Sequence, residues 1–208
     1  TQCANDAWKA ANEAPGNIAT LIVPADYAWS DIGSDLPKKV ELNNRKPVDN
    51  KLIEAAYKLL LKPNSMLYLG GKFLDEECLI FAAHIATKTG CRLVTDTFVS
   101  RIRRGAGLPI VQQVPYFSEM AEDFLQGTES IVFIGTKPPV SFFAYPDKKS
   151  FLSPDEAELF ELCSVEENGY EALALLSELS GSPKIANELI RPYIACLLYT
   201  SPSPRDRY

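Results

Sequence analysis

Short apolar runs alternate with stretches of helical period along this chain. The run Ile18-Ala-Thr-Leu-Ile-Val23 has no alternation of apolar and polar positions. Such a run predicts a strand buried on both faces, as in parallel sheets. Further strands are predicted at residues 66–69, 92–98, 130–136 and 158–163.

Helices are predicted between these runs, at residues 6–13 and 52–61 and at three later places. The best marked begins after Asp75, a candidate N-cap, and ends before Gly90. Asn168 with Glu171 forms a similar start for a helix that runs to residue 179. Two buried stripes are predicted from helical spacing: Cys78, Phe81, Ala82, Ile85 and Thr89 in one helix, and Phe117, Met120, Ala121 and Phe124 in the helix that follows Pro115.

The order of these elements predicts the fold class. From residue 52 the predicted order is helix, strand, helix, strand, helix, strand, strand, helix. This order favours an α/β fold with a Rossmann-like parallel sheet and flanking helices. A stretch rich in Gly, Pro, Asn and Lys at residues 31–50 predicts a linker and a domain boundary. Residues 1–30 lie before this boundary, and the alternating elements lie after it. Residues 196–208 are rich in Ser and Pro and are expected to be a disordered read-through tail.

Composition and charge argue against several classes of function. The 208 residues carry 21 basic and 27 acidic side chains, a formal net charge of −6, and this acidity argues against nucleic acid or an anionic membrane as the main partner. No apolar run is long enough to span a bilayer, and no secretory leader is recognised at Thr1. The five cysteines are widely spaced without a C-x-x-C pair, which favours buried or idle thiols in the reducing cytoplasm.

A pair of glycines follows the predicted strand at residues 66–69. Gly70 and Gly71 precede the helix that starts at Asp75, at the place where doubly wound folds bind nucleotides. The G-x-G-x-x-G motif is absent, and Asp75, Glu76 and Glu77 repel an anion at this helix terminus. Two interpretations stay open, a nucleotide contact and a glycine turn required only for packing.

Basic residues follow two later strands. Arg101, Arg103 and Arg104 lie in a loop after the strand at residues 92–98, and guanidinium groups suit phosphates or carboxylates. Lys137 comes directly after Gly135-Thr136 at the end of another strand. Gly70, Gly71, Arg101, Gly135 and Lys137 are therefore the candidate cofactor-binding residues, although loop arginines are often solvated or paired with acids.

No complete catalytic or metal-binding constellation is recognised. His84, the only histidine, lies away from the apolar stripe of its helix and is expected to be solvated. The loop at residues 138–146 is rich in proline and aromatic residues, which suits either a ligand-binding loop or a packed interface.

Several segments in the right order resemble the thiamine-diphosphate-dependent acetolactate synthase large-subunit family. They are residues 15–26, 74–77, 98–109 and 130–146, and the resemblance covers residues 2–195. In that family a pyrimidine-binding domain, a central Rossmann-like domain and a pyrophosphate-binding domain follow one another. The resemblance implies that residues 1–30 end the first domain, that residues 51–182 form the central domain, and that residues 183–195 begin the linker to the third.

The family's chemistry requires thiamine diphosphate and Mg²⁺. The resemblance places the activating glutamate before Thr1 and the G-D-G…N motif after residue 195, so the chain alone is expected to be inactive, with no catalytic or metal-binding residue of its own. The implied parent is a homo-oligomer, a dimer or a tetramer, that decarboxylates a 2-oxo acid and joins it to a second one. The alternatives are a benzoylformate-decarboxylase-like enzyme and a non-catalytic nucleotide-binding module. Where the family has G-A-R-F-D-D-R, this chain has Gly135-Thr-Lys137 and then Pro-Pro-Val-Ser-Phe-Phe, which argues against FAD as a ligand.

Overall fold

The helices and strands alternate after residue 50, as the sequence predicts. A computed structural model describes residues 2–31, 39–144, 146–181 and 184–194. The helices are α1 (Gln2–Asn12), α2 (Ala25–Trp29), α3 (Asn50–Leu60), α4 (Glu76–Thr89), α5 (Ser118–Leu125) and α6 (Gly169–Leu179). The strands are β1 (Ser65–Leu69), β2 (Arg92–Thr95), β3 (Gln112–Gln113), β4 (Ser130–Ile134) and β5 (Glu158–Cys163).

The five strands form one parallel sheet in the order β3-β2-β1-β4-β5. The chain starts in the middle at β1, moves outward through β2 and β3, and then returns to the other side of β1 with β4. All five residues of β1 and all five of β4 are buried. The predicted α/β fold with a Rossmann-like parallel sheet is therefore confirmed.

Helices cover both faces of the sheet. Leu67 and Leu69 of β1 point into a core shared with α3, α4 and α6. Met66 and Tyr68, the alternate residues, point to the opposite face and pack with Ala121 of α5. This two-sided burial explains why the central strands are continuous apolar runs.

The predicted helix caps are confirmed. The Asp75 carboxylate accepts a hydrogen bond from the Cys78 amide at 3.0 Å, and Gly90 ends α4 with a φ of +77°. Asn168 caps α6 by accepting from the Glu171 amide, while its own amide group donates to the Glu171 carboxylate at 3.0 Å. These local interactions fix where the two helices start, and so where the loops at the sheet edge end.

The strand predicted at residues 18–23 is wrong. These residues have no regular secondary structure, and Ile18, Ile22 and Val23 are 100%, 86% and 59% exposed. The cause is that no other strand among the described residues lies beside them to pair with their backbone. Residues 45–48, in contrast, already contact the sheet domain, since Asn168 donates its amide hydrogen to the Lys46 carbonyl at 2.8 Å and Val48 is buried.

The stripe predicted for α5 is confirmed at Ala121 and Phe124 but wrong at Phe117 and Met120. Phe117 and Met120 are 63% and 57% exposed, whereas Ser118, Ala121 and Leu125 face the core. The helix begins three residues after Pro115, so the buried face is rotated from the predicted one. Phe124 is half-buried, because the Arg92 guanidinium stacks over its ring at 4.3 Å.

Part of the predicted domain organisation falls on residues that the structure does not describe. These exclude residues 32–38, within the predicted linker, and the predicted read-through tail at residues 196–208. A 3-10 turn at Asn187–Leu189 lies against the loop before β3, where Ile110 donates its amide hydrogen to the Leu189 carbonyl at 2.8 Å. Among the helices described, none combines the length and apolar character needed to cross a membrane.

Candidate functional site

The candidate site lies where the loops after β1 and β4 separate at the carboxyl edge of the sheet. The chain leaves β1 toward one side of the sheet and leaves β4 toward the other, which opens a crevice between the two turns. In open α/β sheets ligands bind in this kind of crevice. Gly70 and Gly71 lie on one side of it and Gly135 lies on the other.

Gly70 and Gly135 are in close contact with the neighbouring turn. Gly70 donates its amide hydrogen to the Ile134 carbonyl at 3.0 Å, and a Cβ at Gly70 would lie 2.5 Å from the Cβ of Thr136. Gly135 has a φ of +65°, and a Cβ there would lie 2.3 Å from the ring of Phe73. The structure thus brings the predicted glycines together, but side chains of the chain itself fill the space that the glycines leave. This supports the packing interpretation at these two positions.

Gly71 differs from its neighbour because it is exposed and lines a cleft. The cleft has a volume of about 390 Å³ and is bordered by Gly71, Lys72, Leu74, Asp75, Ser100, Arg101 and Arg103. Arg103 donates its amide hydrogen to the Leu74 carbonyl at 3.0 Å, which holds the arginine loop against the turn after β1. Two of the predicted site residues, Gly71 and Arg101, therefore lie in one cleft.

The charges in this cleft have both signs. Lys72, Arg101 and Arg103 contribute three cationic groups, whereas the Asp75 carboxylate occupies the N-terminus of α4 by capping it. Because the capping carboxylate and the neighbouring Glu76 and Glu77 repel anions, the helix terminus itself is a poor phosphate site. The guanidinium groups remain the groups best suited to bind a phosphate or carboxylate.

The other predicted cationic residues lie elsewhere. Lys137 is exposed at the end of β4 and does not line the cleft. Arg104 points toward β3, where its Nη2 donates to Gln113 Oε1 at 3.3 Å. The arginine cluster seen in the sequence is thus split, and only two of its members face the cleft.

A carboxylate that the sequence analysis missed connects the central strands. Asp96, directly after β2, accepts a hydrogen bond from the Tyr68 hydroxyl at 2.9 Å and another from the Thr136 hydroxyl at 2.6 Å. Burial, with a smaller contribution from Asp96, raises the pKa of Tyr68 far above its ordinary value, so Tyr68 is a neutral hydrogen-bond donor. Asp96 thereby joins the ends of β1, β2 and β4. The sequence signal that could have revealed this role is an acidic residue at the end of a buried strand.

Five exposed aromatic residues form a second missed feature at the same edge. They contact one another through ring pairs with centroids 4.8 to 6.2 Å apart, and we call them the aromatic surface: Phe98, Tyr116, Phe117, Phe142 and Phe143. Two of them come from the predicted aromatic loop at residues 138–146, of which residue 145 lies outside the described residues. Aromatic clusters of this kind are normally buried against other protein groups or against a ligand.

The histidine and the thiols offer no additional chemistry. His84 is half-buried and not solvated as predicted, because its Nδ1 lies 3.2 Å from the buried Ser177 hydroxyl between α4 and α6. Cys78, Cys91 and Cys163 are buried, as expected for idle thiols, and burial raises the pKa of Cys91 to about 11. Cys3 is exposed, and Cys196 lies outside the described residues.

The described residues do not offer a donor set for a metal ion. Within residues 2–31, 39–144, 146–181 and 184–194, no three His, Cys, Asp or Glu side chains converge in a way that could hold one. A larger depression of about 500 Å³ lies near the amino ends of β4 and β5, but the Lys62–Glu158 ion pair, 2.6 Å long, neutralises charges in its wall. The cleft at Arg101 is the better candidate because it lies at the carboxyl edge of the sheet and presents three cationic side chains.

Known proteins resemble this chain both in sequence and in fold. No family model matches the chain. Over 173 residues it is 37% identical to IlvX of Mycobacterium tuberculosis, a protein assigned as an acetolactate synthase large subunit. The match covers 81% of this chain and 32% of IlvX, so the chain spans about a third of the length of this relative.

Solved structures show the same fold at lower identity. A protein from Mycobacterium smegmatis assigned as a thiamin diphosphate-dependent enzyme has a TM-score of 0.64 and 18% identity, over 93% of this chain and 39% of its own. Benzoylformate decarboxylase from Polynucleobacter necessarius has a TM-score of 0.62 and 18% identity, over 94% and 39%. A thiamine diphosphate-dependent 4-hydroxybenzoylformate decarboxylase from Rhodococcus jostii RHA1 has a TM-score of 0.54 and 16% identity, over 74% and 31%.

Proposed function

Since this chain is related to the acetolactate synthase large subunits of the thiamine-diphosphate-dependent enzyme family, we propose that it is the central domain of such an enzyme, preceded by the end of the pyrimidine-binding domain. The observation that carries the proposal is the combination of the β3-β2-β1-β4-β5 parallel sheet with a 37% match over 81% of the chain. The whole enzyme would use thiamine diphosphate and Mg²⁺ to decarboxylate a 2-oxo acid and join the product to a second one.

The exposed segment at residues 18–23 supports the domain assignment. Its apolar side chains and its backbone lack neighbouring strands among the described residues, although its sequence is typical of a strand buried on both faces. A preceding α/β domain with a parallel sheet would supply such neighbours. This supports the proposal that the domain boundary lies in the linker at residues 31–50.

By itself the chain is proposed to be inactive. The family resemblance places the activating glutamate before Thr1 and the G-D-G…N motif that binds Mg²⁺ and the diphosphate after residue 195. The role left to the described residues is structural, together with a nucleotide site at the cleft. The free thiols Cys3, Cys78, Cys91 and Cys163 suit the cytoplasm, and the whole enzyme is proposed to be a homo-oligomer.

The whole enzyme can be tested by expressing the longer gene product that contains this chain. We expect consumption of pyruvate that depends on both thiamine diphosphate and Mg²⁺ and yields a carboligation product. Release of an aldehyde from benzoylformate, without carboligation, would instead identify the decarboxylase alternative. Parallel assays with and without FAD report whether the departure at Gly135-Thr-Lys137 removes the need for a flavin, and no cofactor-dependent turnover of either substrate would contradict the proposal.

A second candidate function is nucleotide binding at the cleft, favoured by the approach of Arg101 and Arg103 to Gly71. Of the predicted contacts, Gly71 and Arg101 line this cleft, while Gly70, Gly135 and Lys137 stay predictions. A ligand that binds only the folded state raises the melting temperature, by an amount that grows with its concentration. We therefore expect ADP, FAD, NAD or coenzyme A to raise the melting temperature of the 208-residue chain.

The matched variants are Arg101→Ala and Arg104→Ala. Arg101 faces the cleft and Arg104 points toward β3, so only the first substitution should reduce the shift. The same loss in both variants would assign the effect to general loop charge. No shift with any of the four ligands would leave the domain as a structural spacer.

A further inference from the structure

We propose that two side chains, Phe73 and Thr136, close the crevice at the carboxyl edge of the sheet to dinucleotides, so that the cleft beside it takes a single nucleoside diphosphate. This restriction depends on the nucleotide site proposed above and names the class of ligand for it. In doubly wound folds a dinucleotide lies across the point where the strand order reverses, with one half on each side. Here the order β3-β2-β1-β4-β5 places that point between β1 and β4.

The ring of Phe73 fills the crevice next to the turn after β4. In dinucleotide-binding folds, glycines without side chains allow the backbone to approach the diphosphate. Phe73 is 4% exposed, and a Cβ added at Gly135 or Gly169 would lie 2.3 Å or 2.7 Å from carbons of its ring. The Arg45 guanidinium covers the ring, with its Cζ 5.7 Å from the ring centroid. The room that these two glycines provide is therefore taken by Phe73.

Thr136 closes the crevice beside Gly70. A Cβ at Gly70 would lie 2.5 Å from the Cβ of Thr136, so the two turns are in direct contact. The Thr136 hydroxyl donates to Asp96 at 2.6 Å, which holds the side chain in this position. Gly71 is also close to the opposite turn, since a Cβ there would lie 3.1 Å from the Gly135 carbonyl oxygen. The two turns therefore leave no gap for a diphosphate that crosses from one to the other.

The open cleft lies on one side of this closed crevice. Among the described residues, those that line it come from the turns after β1 and β2, at residues 71–75 and 100–103, and none comes from the turn after β4. Its volume of about 390 Å³ is near the lower end of the range for small-molecule sites, about 300–1,000 Å³. The guanidinium groups of Arg101 and Arg103 suit a diphosphate. A ligand in this cleft thus contacts one mononucleotide-binding half of the fold and not both.

Isothermal titration calorimetry of the 208-residue chain with ADP, FAD and NAD tests the proposal. We expect FAD and NAD to bind no more tightly than ADP, because the part of each dinucleotide beyond its ADP moiety meets no open site. FAD or NAD that binds at least about tenfold more tightly than ADP would overturn the proposal, since both halves of the dinucleotide would then be held.

A variant that opens the crevice supplies the positive test. Phe73→Ala together with Thr136→Gly removes the ring and the Cβ that close the crevice, and it should lower the Kd of FAD relative to that of ADP by at least about tenfold. The matched control is Phe124→Ala together with Thr128→Gly, which removes the same groups near the amino ends of β2 and β4 and should leave the ratio of the two Kd values unchanged. Far-UV circular dichroism and the melting temperature verify that each variant is folded. Thr136→Gly alone retains the buried ring, so it is the milder variant, and it should lower the same ratio by a smaller factor.

The closed crevice and the nucleotide site can fail separately. Folded variants with Thr136→Gly, alone or with Phe73→Ala, that still bind FAD no better than ADP would overturn the closure, because these side chains would then not be what excludes a dinucleotide. A wild-type chain without affinity for ADP, combined with a gain of FAD binding in the opened variant, would contradict the nucleotide site proposed for the cleft and still support the closure.

Discussion

Two apolar runs of similar composition have opposite surroundings in this molecule. Residues 18–23 are largely exposed, with Ile18 at 100%, whereas all five residues of β4 are buried. Both runs contain isoleucine and valine without alternating polar positions. The difference shows that such a run identifies a chain segment suited to lie between two other strands, while burial depends on whether those strands are present.

Strand β4 has a neighbouring element on every side. β1 pairs with one side of β4 and β5 with the other, and α3 and α5 cover the two faces. The N-terminal segment instead touches the rest of the chain through exposed contacts, such as the hydrogen bond from Asn43 Nδ2 to Glu13 Oε1 at 2.7 Å. The two regions are therefore expected to respond very differently to equivalent substitutions.

The largest contrast is expected for a buried leucine in β1. Leu67→Ala removes a fully buried side chain and should lower the free energy of unfolding by about 2–5 kcal/mol, because a cavity remains in the core. Ile22→Ala, at a position that is 86% exposed, should change it by less than about 0.5 kcal/mol. Urea unfolding followed by circular dichroism measures both, and similar losses would mean that residues 18–23 are buried in solution.

A smaller contrast is expected between two glycines with positive φ. Gly135→Ala places a methyl group in the Phe73 ring as well as straining the backbone, and the combined cost is about 3 kcal/mol of unfolding free energy. Gly16→Ala, at a φ of +101°, meets nothing closer than the Ala11 carbonyl oxygen at 3.8 Å. Gly16 lies outside the sheet domain, so thermal unfolding of that domain should be unchanged in this variant and should move to lower temperature in Gly135→Ala. A tolerated Gly135→Ala would show that the two turns are not packed as described.

The smallest contrast is expected for two aspartates. Asp96→Ala leaves the buried Tyr68 hydroxyl without its acceptor, which costs about 1–3 kcal/mol. Asp26→Ala removes an exposed carboxylate from α2 and should have almost no effect. Chemical denaturation of both variants, together with Asp96→Ala in a Tyr68→Phe background, isolates the hydrogen bond. An equal cost of Asp96→Ala in the two backgrounds would contradict this role for Tyr68.

Most of the sheet could be predicted because its strands and helix caps leave local signals. The caps at Asp75 and Asn168 and the apolar runs at β1 and β4 each depend on a few adjacent residues. The family resemblance, drawn from segments such as residues 15–26 and 130–146, is confirmed by the similarity to IlvX. Strand β3 gave no signal, since it consists of two exposed glutamines that pair with β2.

The features that could not be predicted depend on which distant side chains meet. Helical spacing placed Phe117 and Met120 in the core, but it cannot distinguish a face packed on the sheet from a face that joins other exposed aromatic residues. The sequence places Gly70 and Gly135 each at the end of a strand, but it does not reveal that the two turns meet or that the side chains of Thr136 and Phe73 fill the space beside them. His84 faces a second helix, α6, that the pattern of α4 alone does not reveal.

The contact between Gly70 and Thr136 restricts how this fold can diverge. The Thr136 side chain occupies the volume that any side chain at Gly70 would need, and its hydroxyl is already committed to Asp96. A relative with a larger residue at position 70 therefore requires a smaller one at position 136, and Asp96 then keeps the Tyr68 hydroxyl as its hydrogen-bond donor but loses the Thr136 hydroxyl. Positions 70 and 136, which are 66 residues apart in sequence, should consequently vary together over evolutionary time.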